Sequence, residues 1–229
     1  RAEERPNEKR VGVSPQGVKS LLKAGFEVTI EQDPTRAIGI DAYSDAQIAK
    51  TGSWKSAPRE AIIIGLKELP DEATPLRHRH IMFGHAYKFQ PEGQKLLARF
   101  KAGGGTLYDL EYLTDDKGIR VAAFGYWAGY AGAAVAIKSW AAAQQGNICE
   151  PLHTFTSAQS LINHVIKDLN KPRPRVIIIG AKGRVGSGAR DFCNAIDASV
   201  TSWDMDETAH GGPFPEILEH DIFLNCILA

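Results

Sequence analysis

Two apolar runs in the first half of the chain each end on a group that can move protons. Lys67 closes Ile62-Ile-Ile-Gly-Leu66, and His85 closes Ile81-Met-Phe-Gly84. Open α/β sheets bind their ligands outside the C-terminal ends of the strands, so a side chain placed there can face a substrate. A lysine set against apolar walls and other cations titrates low enough to act as a base near neutral pH. Histidine already titrates near neutrality and can move protons in either direction. Tyr87, Lys88 and Gln90 stand just behind His85. Taken singly, each residue also reads as a surface lysine or a satisfied histidine. Together on two strand ends, they read as a site for successive proton transfers.

Two arginines could hold a carboxylate beside them. Arg10 precedes Val11-Gly-Val13 and a helix start at Ser14-Pro15, and Arg120 precedes Val121-Ala-Ala-Phe124. A guanidinium grips a carboxylate through two parallel hydrogen bonds. The alternative is a solvated charge cluster, which is how Arg5 and Lys9 read. His78 and His80 have no cysteine or carboxylate at ligand spacing, so they read as surface and no metal site is expected.

The second half carries a different signal. Arg175-Val-Ile-Ile-Ile-Gly180-Ala-Lys-Gly183-Arg-Val-Gly186-Ser-Gly188-Ala189 is a buried β-run, a glycine-rich turn and a helix start. The glycines permit a tight turn and close approach to a pyrophosphate, and the helix N-terminus offers unpaired N–H groups. The spacing of Gly180, Gly183 and Gly186 departs from the usual fingerprint, with Gly188 as an extra. Ala198-Ser-Val-Thr-Ser-Trp203 reads as the next strand, ending at Asp204. An acid there can accept from the ribose hydroxyls of an adenosine and would repel a 2′-phosphate, which favours NAD over NADP. The alternative is a tight turn in an ordinary α/β domain, with Asp204 as a helix N-cap. Asp221 to Leu228 would extend the parallel sheet.

Other signals define the elements that must position these groups. Helices are expected at Ser14–Ala24, Asp41–Lys50, Pro91–Lys101 and Ser157–Asn170. Strands are expected at Phe26–Ile30, Ala61–Leu66, Ile81–Ala86, Thr106–Leu110 and Arg120–Phe124. The stretch from Gly125 to Ala143 is rich in glycine and alanine and reads as a smooth connecting helix; Lys138, Ser139 and the following glutamines argue against a membrane span. The β/α alternation predicts an α/β protein of two Rossmann-like open parallel-sheet domains with a cleft between them. Residues 1–130 form the first domain, and 131–229 the connecting helix and the start of the second. The sequence opens on Arg and stops after one apolar run past the glycine unit, so the second domain is expected to be truncated.

The 229 residues include 27 basic and 27 acidic side chains. That balance, with no basic stripe, argues against nucleic-acid and membrane partners and for small-molecule chemistry. Cys149, Cys193 and Cys226 are widely spaced and read as free thiols in a reducing compartment.

Several motifs carry a resemblance. They are Arg1-Ala-Glu3, Glu8-Lys-Arg-Val11, Gly52-Ser-Trp-Lys55, Ile62-Ile-Ile-Gly-Leu-Lys-Glu-Leu-Pro70 and Gly84-His-Ala-Tyr-Lys88. Gly105-Thr-Leu-Tyr-Asp-Leu-Glu111, Arg120 through Gly132, Gly180 through Ala189, and Trp203-Asp-Met-Asp-Glu-Thr208 with Gly211-Gly-Pro-Phe214 complete the set. Over nearly the whole chain, and least between Gln144 and Arg173, the sequence resembles the fungal NAD-dependent, L-lysine-forming saccharopine dehydrogenases. Alanine dehydrogenase and a transhydrogenase subunit are more distant relatives of two-domain plan.

The resemblance implies oxidation of the secondary amine of saccharopine with NAD and hydrolysis of the imine to L-lysine and 2-oxoglutarate, the last step of the aminoadipate route to lysine. It implies Lys67 as the base that accepts the amine proton and His85 as the acid–base group for imine hydration. Arg10, Gln90, Arg120 and Phe124 match substrate-contacting positions, and Gly180, Gly183, Arg184, Asp204 and Thr208 match cofactor-binding ones. The compartment implied is cytoplasmic, with a peroxisomal one also open. The chain as it stands is expected to bind NAD poorly and to be inactive. Alternatives are an alanine-dehydrogenase-like enzyme and a non-catalytic nucleotide-binding fragment.

Overall fold

The computed structural model describes residues 1–87 and 91–227. The chain divides into two compact units, Arg1–Ala123 and Phe124–Ala229. Each is a mixed α/β arrangement around parallel strands.

In the first unit, α1 (Pro15–Lys23) starts where Ser14 accepts from the Gly17 N–H at 3.1 Å, with proline in its first turn. Strands β1 (Thr29–Glu31) and β2 (Gln47–Ala49) pair in parallel. A second parallel sheet has the order β3 (Ile62–Ile64), β4 (Arg79–Met82), β5 (Thr106–Asp109), with α2 (Pro91–Gly103) between β4 and β5 in the chain. A cavity of about 950 Å³ lies between β1 and β3 and leaves Ile62 exposed.

Three expectations change here. Asp41–Lys50 is not a helix. A short 3₁₀ turn, Ile40–Tyr43, buries Tyr43, whose hydroxyl donates to Val13 O at 2.9 Å, and the chain then extends to pair with β1. Pairing across the sheet overrides local helix preference in so short a run. Arg120–Phe124 is not a strand: Arg120 makes one antiparallel bridge to Thr114, and the Val121 N–H donates to Leu113 O. It folds back on its own turn rather than onto the sheet.

The third correction concerns His78 and His80, which are buried rather than on the surface, at 2% and 0% exposure. Leu76, His78, His80 and Met82 alternate inward while Arg77 and Arg79 alternate outward, as the two-residue period of an extended chain requires. His80 meets Trp54 and Phe100 edge-on at 5.2 and 5.3 Å, and a ring nitrogen of His78 lies 3.0 Å from Ala57 O.

The second unit opens on α3 (Gly125–Gln144), followed by α4 (Ala158–Ile166), β6 (Arg175–Ile179), α5 (Arg184–Ala195), β7 (Ser199–Trp203), α6 (Met205–Thr208) and β8 (Ile222–Asn225). The sheet order is β7-β6-β8, all parallel. Central β6 is buried on both faces, with Val176, Ile177 and Ile178 at 0% exposure, which explains its unbroken apolar run. No helix among the described residues is long and apolar enough to cross a membrane.

The smooth helix over Gly125–Gln144 allows a close crossing with α5. A Cβ at Gly129 would come 1.9 Å from Val185 O, and one at Gly188 would come 1.9 Å from Tyr126 O. The backbones of α3 and α5 therefore touch at this crossing, which fixes the axis of the helix that begins at the glycine turn. In an exposed helix Gly→Ala stabilises by about 1 kcal/mol. Here the sign reverses: Gly188→Ala is expected to cost about 1–3 kcal/mol because a rigid backbone must move. Urea unfolding would show it, and a Gly188→Ala midpoint at or above that of the unmodified protein would refute it.

Candidate functional site

The β3–β4 ladder runs past the strands themselves: the Gly65 N–H donates to Ile81 O and the Phe83 N–H to Leu66 O, both at 3.0 Å. Lys67 and His85 follow immediately on these neighbouring strand ends, as the sequence pattern predicted. His85 has φ +49, a left-handed conformation that few non-glycine residues adopt, histidine more often than most. The preceding Gly84 N–H donates to Asp109 Oδ1 at 3.2 Å at the end of β5, so the turn that presents His85 is tied to the third strand.

Glu68, which the sequence reading passed over, sits beside His85: its Oε2 is 3.8 Å from His85 Nδ1, an ion-pair distance once the ring is protonated. Its other oxygen accepts from Arg5, a residue read from the sequence as a solvated charge. No short-range signal links Arg5 to Glu68, which are 63 positions apart. A cavity of about 290 Å³ opens here, lined among others by Arg5, Glu68, Gly84 and His85.

Arg10 holds Glu8 through two bonds, Nε to Oε1 at 2.8 Å and Nη2 to Oε2 at 2.6 Å. That bond, with a smaller contribution from the charge of Lys67, holds the Glu8 carboxyl below its usual range, and it raises the Arg10 guanidinium. Arg10, Glu8 and Lys67 thus share one electrostatic neighbourhood. Arg120 makes a similar fork with Glu111, each bond 3.0 Å. Both arginines have the geometry that a substrate carboxylate would need. Phe124 is half exposed at the start of α3. Gln90 lies outside the described residues.

In the second unit the glycines have separate jobs. Gly180 takes φ +83, and its N–H donates to Trp203 O at 2.9 Å. Gly183 caps α5 with no side-chain bond to the helix, and Arg184 is that helix's first residue. A Cβ at Gly186 would come 2.1 Å from Gly180 O, so helix and turn meet too closely for any other residue. Asp204 is the helix cap that the sequence allowed as its alternative reading. It caps α6 through the Met205 N–H at 3.0 Å, and it accepts from the Lys182 N–H at 2.8 Å. These backbone bonds, the Lys182 one first, hold its carboxyl below the usual range. Thr208 closes the turn by donating to Asp204 O at 2.8 Å.

Parallel sheets, with a glycine turn leading from a central strand into a helix, define an α/β protein of the open parallel-sheet class. Residues 1–131 match the alanine dehydrogenase/PNT N-terminal domain, and the chain belongs to that family. It is similar to the saccharopine dehydrogenase (NAD(+), L-lysine-forming) of Yarrowia lipolytica, 46% identical over 241 residues that cover 99% of this chain and 65% of that protein. The chain thus spans about 65% of that relative's length. Among solved structures, a transhydrogenase from Sinorhizobium meliloti has a TM-score of 0.62 at 18% identity, covering 99% of this chain and 68% of the other. An L-alanine dehydrogenase has a TM-score of 0.57 at 20% identity, covering 97% and 58%. At these identities the likeness is one of fold.

Proposed function

We propose that the polypeptide carrying this sequence is an NAD-dependent saccharopine dehydrogenase that releases L-lysine and 2-oxoglutarate in the cytoplasm, with no nucleic-acid partner. The observation that carries this reading is the 46% identity, across 99% of the chain, to an enzyme of that name. The geometry agrees with it in three respects: Lys67 and His85 follow the ends of paired strands, His85 is held in a left-handed conformation beside Glu68, and two arginines already grip carboxylates, of Glu8 and Glu111, in forked geometry.

The residues present fit NAD. The glycine turn Gly180 to Gly186 leads into the start of α5, an end that no side chain caps and that would face a pyrophosphate. The Asp204 carboxylate, which accepts from the Lys182 and Met205 N–H groups beside this turn, would also accept from a ribose hydroxyl. Arg184, the first residue of α5, and Thr208, the last of α6, would contact the cofactor there. NAD held there would supply the hydride acceptor for oxidation of the carbon that bears the secondary amine. Arg10, Arg120 and Gln90 would grip the substrate's carboxylates, with Phe124 against its aliphatic part. Lys67 would accept the amine proton as that carbon is oxidised. His85 would then deprotonate the water that adds to the imine and return the proton to the departing lysine amine as the carbinolamine collapses.

The test is NADH formation from saccharopine and, separately, from L-alanine, by the polypeptide as its gene encodes it. Turnover with saccharopine and not alanine is expected. Alanine turnover alone would favour the alanine-dehydrogenase-like reading. Nucleotide binding with neither activity would favour the non-catalytic one.

A further inference from the structure

Lys67 lies just beyond the last ladder bond of β3, where a peptide ordinarily has no sheet partner to fix it. Here, two side chains from the first three residues of the chain supply one. Glu3 accepts from the Leu66 N–H on Oε1 at 2.7 Å and from the Lys67 N–H on Oε2 at 3.0 Å. Arg1 donates through Nη2 to the carbonyl of the same Lys67. The two side chains are 3.5 Å apart and buried, at 0% and 3% exposure for Arg1 and Glu3. Their own backbone is anchored in turn. The Arg1 nitrogen donates to Ile64 O at 2.7 Å, and the Ala2 N–H donates to the buried Glu31 carboxylate at 2.8 Å. Gly65 makes the space, since a Cβ there would come 2.6 Å from Arg1 Nε.

A buried ion pair is a costly way to fill space, and apolar packing fills it as well. What the pair supplies beyond packing is direction. A carboxylate spanning two adjacent N–H groups fixes the plane of the peptide that carries the Lys67 side chain, and the guanidinium holds that residue's carbonyl on the other side. We propose that Glu3 and Arg1 are positioning residues for Lys67: they hold its backbone so that its amine meets the substrate at reacting distance. The inference rests on the reading of Lys67 as the base. Misplacement of a catalytic group by about 1 Å can lower a rate about a hundredfold.

The variant Glu3→Asp keeps the charge opposite Arg1 but is one methylene too short to span both N–H groups. Steady-state kinetics with saccharopine across pH, alongside circular dichroism, should show kcat reduced about tenfold or more. KM should stay within about threefold, and the pH limb that Lys67→Met abolishes should be displaced. Arg1→Lys, which keeps the charge but loses the fork, should show the same split. A wild-type kcat and pH profile in folded Glu3→Asp would overturn the proposal, as would a kcat loss that only tracks the unfolded fraction. Full turnover by Lys67→Met would instead remove the base assignment, and this inference with it. If both positioning variants unfold, hydrogen exchange in the unmodified protein decides: the Lys67 amide should exchange as slowly as those of β3, and loop-like exchange would overturn the proposal.

Discussion

Lys67→Met is expected to lower saccharopine-dependent NADH formation by about 10²- to 10⁴-fold, the usual contribution of a positioned general base. His85→Gln should lose a similar factor, but the two losses should differ in kind. In the proposed sequence Lys67 takes the amine proton as the substrate carbon gives up hydride, so Lys67→Met slows the first turnover as much as later ones. His85 acts afterwards, on the water and the carbinolamine. In His85→Gln the first equivalent of NADH should therefore form rapidly, followed by a slow steady state. Rapid mixing with absorbance detection of NADH separates the two. Near-wild-type turnover in both variants would remove these residues from the chemistry, and a burst in Lys67→Met but not in His85→Gln would reverse their roles.

Much of what positions these two residues was legible because it is local. The apolar run Ile62-Ile-Ile-Gly-Leu66 and the shorter one before His85 announce parallel strands, and the glycine turn at Gly180 announces β6, α5 and the acid that follows. Ser14 and Pro15 start α1 where the helix signals placed it. Two misread segments are set by partners outside their own run. Gln47–Ala49 becomes a strand only because β1 lies beside it, and Arg120 bonds to Glu111 instead of joining a sheet. The Arg5–Glu68 and Glu3–Lys67 bonds join residues 63 and 64 positions apart, and no spacing rule encodes them.

Gly188 and Asp204 show another limit. Gly188 stood outside the fingerprint count, yet the crossing of α3 and α5 requires it, because Tyr126 O occupies the place of its Cβ. Asp204 was weighed as a ribose ligand against a helix cap. The fold makes it the cap of α6, while a backbone bond from Lys182 holds it against the glycine turn.

His78 and His80 were legible in principle. Leu-Arg-His-Arg-His-Ile-Met alternates with a period of two, and weighting histidine as polar hid the apolar face. The burial of His80 has a large consequence in acid. Desolvation first, then the nearby charges of Arg1, His78 and Arg99, push the imidazole down to about 3. Its ring nitrogens have no hydrogen-bond partner among the described residues. In the unfolded chain the ring titrates near its ordinary value of about 6.5 and binds the proton the folded state refuses. The unfolded state therefore holds more protons between these values, and stability must fall as pH drops through that window. The loss is about 2 kcal/mol between pH 7 and pH 5, and reaches about 4 kcal/mol by pH 3. His80→Leu removes the titrating group and two unsatisfied nitrogens from an apolar pocket. It should raise stability by about 1 kcal/mol at pH 7 and flatten the acid slope. Urea unfolding at several pH values, with hydrogen exchange at the β4 amides to localise the effect, measures both. An equally steep acid slope in His80→Leu would show that other groups drive the acid unfolding of the first unit.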